Sequence, residues 1–203
     1  MQRTLQKSRI TDADGMILRM IGQTRAVRKV LITEEEVHER VIELGRQITA
    51  DYEGEAPLFV AILRGAAIFH ADLIRQVDLN LKIDFISVSS YGAATESSGQ
   101  VQLIKDLESS IEGVHVILVE DIIDTGLTVK YLLRNLLSRK PASLRICSLL
   151  SKPARREVEV PIHYLGFDIP DEFVIGYGLD FDQRFRNLPF IGILDQTAIP
   201  GPN

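Results

Sequence analysis

Val116-Ile117-Leu118-Val119-Glu120-Asp121-Ile122-Ile123-Asp124-Thr125-Gly126-Leu127-Thr128 runs from apolar residues through three acids into a Thr-Gly-x-Thr turn. Residues 114–119 read as a buried strand, and Val129, Leu132, Leu133, Leu136 and Leu137 recur at helical spacing after the turn. Gly126 allows a tight turn in which consecutive amides converge on one anion. Thr125 and Thr128 add hydroxyl donors, and the positive end of the following helix favours a phosphate. Glu120 and Asp121 leave the strand where they can accept hydrogen bonds from ribose hydroxyls or orient hydrated Mg²⁺. Phosphate, sugar and metal together fit this order of residues. The competing reading is structural, with Asp124 or Thr125 acting only as a helix cap. A P-loop is excluded, because Gly-x-x-x-x-Gly-Lys-Ser/Thr is absent.

Outward from that run, apolar strands alternate with amphipathic helices. Val30-Leu31-Ile32 precedes Thr33-Glu34-Glu35-Glu36, a capping box ahead of the stripe Val37, Val41, Leu44 and Ile48. Residues 58–63 read as a strand, 66–77 as a helix and 81–89 as a strand rich in β-branched and aromatic residues. The Gly-, Ala-, Thr- and Ser-rich stretch 91–100 reads as an exposed loop. Further strands are predicted over 101–104, 144–150, 162–165, 173–175 and 190–193. Such alternation predicts an α/β fold whose mainly parallel sheet is covered on both faces, with ligands at the strands' carboxyl ends. A single domain over 28–203 is expected, preceded by an arm over 1–27 without firm periodicity.

Composition bounds the function classes. The 203 residues are 45% hydrophobic and 25% charged, with a formal net charge of -5. That balance argues against a nucleic-acid partner held through phosphates. The one cysteine, Cys147, lies in an apolar run and reads as a buried small hydrophobe. Met1 to Arg9 has no apolar signal region, and no run approaches the ~20 residues that cross a bilayer. No membrane association and a cytoplasmic location are the expectation.

The segment Val119-Glu120-Asp121-Ile122-Ile123-Asp124-Thr125-Gly126 resembles the phosphoribosyl pyrophosphate (PRPP) signature of the type I phosphoribosyltransferases, in the form of the hypoxanthine-guanine enzymes. The likeness continues through Leu63-Arg64-Gly65, Ser90-Tyr91-Gly92, Lys152-Pro153, Pro170 to Gly178 and Arg184 to Pro189. It covers roughly residues 28 to 194 and implies that family's fold: a mainly parallel sheet flanked by helices, with a small hood of short strands from the C-terminal part.

The resemblance also implies residue roles. Glu120, Asp121, Asp124, Thr125, Gly126, Leu127 and Thr128 would bind ribose and its 5′-phosphate, with Asp124 the general base. Leu63, Arg64, Gly65 and Arg186 would bind pyrophosphate, with a cis peptide between Leu63 and Arg64. Ser90 and Tyr91 would open a flexible loop that excludes water from a cationic sugar centre. Lys152, Phe173, Val174 and Asp180 would serve the purine side, with Lys152 donating to O6 and Phe173 stacking. Glu120 and Asp121 would hold Mg²⁺, and Asp180 a second Mg²⁺. The implied partners are PRPP and a 6-oxopurine base in a homodimer or homotetramer.

Taken without the resemblance, several of these residues have plainer readings. Leu63-Arg64-Gly65 is an ordinary strand-to-helix turn, Ser90-Tyr91 a hairpin tip, Lys152 a solvated lysine and Phe173 a core residue. Asp182, Arg184, Arg155 and Arg156 read as solvated surface charges, and none of the four histidines receives a role. Two other functions compete: a regulator that senses nucleotides and binds RNA, and a transferase for adenine, xanthine or a pyrimidine. Leu127 departs from relatives that carry a polar residue there, and Arg64 stands where others have lysine.

Overall fold

A computed structural model describes residues 26–90, 101–195 and 197. In chain order the elements are β1 (Val27–Ile32), α1 (Glu34–Asp51), β2 (Leu58–Leu63), α2 (Ala67–Ile74), β3 (Lys82–Ser90) and β4 (Val101–Lys105). They continue with β5 (His115–Ile123), α3 (Leu127–Leu137), β6 (Ser143–Ser151), β7 (Tyr164–Asp168), β8 (Val174–Ile175) and β9 (Ile191–Leu194). They fall into two compact units.

The larger unit, residues 38–171, carries a six-stranded sheet in the order β4-β3-β2-β5-β6-β7. All its pairings are parallel except that of β3 with β4. On one face Val60, Ile62, Ile86, Val116 and Leu118 pack with Leu132 and Leu136 of α3. Burying such a side chain contributes about 1.5–3 kcal/mol, an upper figure because the unfolded chain is not fully extended. Strand order reverses between β2 and β5, the kind of switch point where an open α/β sheet leaves a crevice for ligand. Pairing of β2 with β5 stops at Ala61 and Val119, whereas β2 stays paired with β3 to Leu63 and β5 with β6 to Ile123. The two central strands therefore part just where the acidic run begins.

The smaller unit contains a three-stranded antiparallel sheet, β1-β9-β8. Ala26, Val27, Ile175, Leu188, Phe190 and Leu194 form its core. The expected hood of short C-terminal strands is present, but β1 from the other end of the chain supplies its edge. The capping box forms: the Glu36 amide donates to Thr33 Oγ1 at 3.2 Å, and the Thr33 amide donates to Glu36 Oε2 at 2.7 Å.

Some boundaries differ from expectation. α2 stops at Ile74 rather than 77, since the amide of Gln76 turns back to Leu73 O at 2.9 Å. β5 continues through Ile123, so Glu120 and Asp121 lie within a strand, held by pairing with β6 that the sequence pattern does not encode. β7 begins at Tyr164, two residues later than expected, and Gly166 lets it approach β6 so closely that a Cβ there would strike the Leu149 carbonyl.

Candidate active site

The turn after β5 takes its shape from Gly126, whose φ of 86° is left-handed and which caps α3 without a side-chain hydrogen bond. A Cβ at this position would come within 2.9 Å of the Val158 carbonyl. The approach is fixed by backbone bonds: the amides of Glu157 and Val158 donate to Thr125 O at 3.0 and 3.3 Å, and that of Lys152 donates to Ile123 O at 3.0 Å. The carbonyls on either side of Asp124 are thus tied down by residues 152–158. Among the described residues the amides of Gly126 and Thr128 donate to no protein acceptor, and that of Leu127 makes only a 3.4 Å contact with Thr125 Oγ1. Unpaired donors at a helix start bring positive potential to an anion.

Glu120 is buried, and its Oε2 has no hydrogen-bond partner. Burial, and next the charge of Asp121, hold its carboxyl well above the usual range. Asp121 reaches across to the loop after β2. Its carboxylate occupies the space into which a side chain at Gly65 would project. The Leu63–Arg64 peptide is cis. The acidic pair and Leu63-Arg64-Gly65 are therefore neighbours at the parting of β2 and β5.

Asp124 follows β5 with a half-exposed side chain whose Oδ1 is covered. Arg155 Nε lies 2.8 Å from that oxygen, an ion pair outside hydrogen-bond alignment. The far side of the guanidinium faces Asp171 Oδ1, 3.6 Å from Nη1. Arg156 donates to Ser151 Oγ at 2.9 Å. In and just after the 3₁₀ turn Pro153–Arg155, Arg155 keeps the surface position expected from sequence and Arg156 is only partly exposed, but both are paired. The only sequence signal for this was their closeness to Lys152-Pro153. Lys152 itself is buried rather than solvated, at the end of β6.

The remaining candidates lie in the smaller unit. Phe173 is 44% exposed, so it is not core, and its ring meets Phe181 edge-on at 5.7 Å. Val174 is buried in β8. Asp180 Oδ1 pairs with Arg186 Nη2 at 2.6 Å, and Arg186 Nη1 donates to Gly178 O at 2.6 Å. Asp182 and Arg184 form an exposed pair at 3.0 Å. Ser90 ends β3, while Tyr91 lies outside the described residues.

Groups given no role have structural surroundings. His115 Nδ1 sits 2.8 Å from Ser143 Oγ, and the Ile146 amide donates to His163 Nδ1. Burial pushes the Cys147 thiol far up, which leaves it inert. No helix among the described residues is long and apolar enough to cross a membrane.

Among the described residues no three His, Cys, Asp or Glu side chains gather into a metal cage. Mg²⁺ does not require one: it commonly takes one or two carboxylates and completes its shell with water and substrate phosphate. An orphaned Glu120 oxygen beside Asp121 is a donor set of that type.

Residues 32–182 match the family model of the phosphoribosyl transferase domain. The chain is 49% identical over 168 residues to the hypoxanthine-guanine phosphoribosyltransferase of Bacillus subtilis (strain 168), covering 83% of this chain and 93% of that protein. It is 52% identical over 168 residues to the bifunctional protein TilS/HprT of Listeria monocytogenes serotype 4b (strain F2365), of whose length it spans only 26%. A solved hypoxanthine phosphoribosyltransferase from Staphylococcus aureus superposes with a TM-score of 0.84 at 47% identity, over 89% of this chain and all of that one.

Proposed function

This chain belongs to the phosphoribosyl transferase domain family, and from that premise we propose that it salvages purines by transferring the 5-phosphoribosyl group of PRPP to hypoxanthine or guanine. The products are IMP or GMP and pyrophosphate. The observation that carries this reading is the pair of unengaged amides at Gly126 and Thr128, following a strand that bears Glu120 and Asp121. A dianionic 5′-phosphate suits those amides, and the two acids suit the ribose hydroxyls behind it.

The reaction is an in-line displacement at C1′. The C1′–N9 bond forms as the C1′–O bond to pyrophosphate breaks, through an oxocarbenium-like transition state. Asp124 accepts the N7 proton of the base as N9 attacks. Arg186 and the backbone of Leu63-Arg64-Gly65 bind the departing pyrophosphate, where fixed positive groups lower the barrier most. Lys152 donates to O6 of the purine, Phe173 stacks on it, and the Val174 backbone reads its edge. Ser90 and Tyr91 would help to keep water from the sugar centre. Glu120 and Asp121 would hold one Mg²⁺ and Asp180 a second, and their charge would neutralise pyrophosphate oxygens. The proposal includes a cytoplasmic homodimer or homotetramer without nucleic-acid partners.

The test is a steady-state assay with Mg²⁺, PRPP and, in turn, hypoxanthine, guanine, xanthine and adenine, following pyrophosphate and nucleotide. Turnover is expected with hypoxanthine or guanine and much weaker with adenine. Release of no pyrophosphate with any base sinks the proposal.

A further inference from the structure

We infer that Arg155 is the positioning residue for Asp124, and that Asp171 in turn orients Arg155. The inference rests on the reading of Asp124 as the group that accepts the N7 proton.

Three observations carry it. First, the two Asp124 oxygens differ: Oδ1 is covered and faces Arg155 Nε at 2.8 Å, while the side chain as a whole is 38% exposed. Pinning Oδ1 leaves the other oxygen as the one available to an incoming base. Second, the pair is built into the backbone. The amides of Lys152, Glu157 and Val158 bind the carbonyls of Ile123 and Thr125, which flank Asp124, and the Arg155 amide closes the turn onto Lys152 O at 3.1 Å. Arg155 therefore cannot drift along the chain relative to Asp124 without breaking that strap. Third, Asp171 Oδ1 lies 3.6 Å from Nη1 and supplies a carboxylate on the other side of the guanidinium. A guanidinium flanked by two carboxylates is attracted from both sides, which a free surface arginine is not.

The consequence is geometric. Asp124 has one χ1 and one χ2 to fix, and it stands in a turn with no side-chain hydrogen-bond donor on Oδ1. Without Arg155 the carboxylate samples rotamers that point away from the base. A proton acceptor displaced by an ångström can cost about 10²-fold in rate with little change in ground-state binding.

The experiment compares Arg155→Ala, Arg155→Lys, Asp124→Asn and the Asp124→Asn/Arg155→Ala double variant, with hypoxanthine or guanine, PRPP and Mg²⁺. Arg155→Ala should lower kcat about 10- to 100-fold while the KM for PRPP stays within about threefold, the signature of an interaction used mainly in the transition state. Arg155→Lys should recover most of that loss, because it restores a cation without the fork. In the Asp124→Asn background, removing Arg155 should slow turnover by less than about twofold, as expected when one residue acts through the other. Unchanged or faster turnover in Arg155→Ala overturns the inference, as does an equal loss in both backgrounds. Full activity in Asp124→Asn refutes the general-base reading instead. A slow Asp124→Asn beside an unimpaired Arg155→Ala leaves that reading standing and removes this one.

Discussion

The carboxylate of Asp121 rests against the Cα of Gly65, in the space that any side chain at position 65 would occupy. The end of strand β5 and the loop after β2 are thereby brought into contact where the two strands separate. Gly65 is needed here for room rather than for backbone freedom, since its φ is not in the left-handed region.

Gly65→Ala is therefore expected to fold and to push the Asp121 carboxylate from its place. Overpacking of this kind costs about 1–3 kcal/mol, and the flexible end of Asp121 absorbs part of it. The loss should fall on catalysis, with kcat/KM for PRPP reduced roughly 10-fold or more as ribose and pyrophosphate contacts are misplaced. Steady-state kinetics with varied PRPP, beside a melting curve, make the check.

Gly126→Ala tests the phosphate turn. Its φ of 86° is unfavourable for an L-residue, and the new Cβ meets the Val158 carbonyl. The left-handed conformation alone costs about 1–2 kcal/mol, or a fall in Tm of roughly 2–8 °C for a chain of this size. Weaker binding of nucleoside monophosphate should accompany it, measured by calorimetry. Equal affinity in the variant would argue against the anion site.

Asp124→Asn keeps the shape of the side chain and removes its basicity. Turnover is expected to fall by ~10²–10⁴ while the KM for PRPP changes little, since loss of a general acid–base group acts on the transition state. Parallel losses in PRPP binding and in kcat would instead mark Asp124 as a binding group only.

His70 carries a pH prediction. Burial lowers its basicity, with partial compensation from its bond to the Phe59 backbone, and its Nε2 has no partner. The native state thus prefers the neutral ring. Its contribution to stability is complete above the ordinary histidine pKa of about 6.5 and is lost as pH falls through the lower folded value. The Tm should decline on acidification below about pH 6.5. His70→Gln should flatten that decline; it will not abolish it, because burial and the Arg145 charge depress His163 in the same direction.

Local signals were strong where the physics is local. Thr33 and Glu36 cap one another across three residues, and Val37, Val41, Leu44 and Ile48 are buried at helical spacing. The turn was legible because Gly126 and the helix behind it are adjacent in the chain. The pairing of Arg155 was not legible for the opposite reason: its position on the surface was, but its partners Asp124 and Asp171 are distant in sequence.

By itself the order of residues determined that strands and helices alternate, that the chain turns at Gly126 and that the acids Glu120, Asp121 and Asp124 precede that turn. Periodicity and turn chemistry are short-range, so they can be read from neighbours. Only the folded chain decided that β2 lies beside β5, that β1 closes a sheet with β9, and that Arg155 faces Asp124. Those pairings depend on which buried surfaces meet, a property of distant segments packed together.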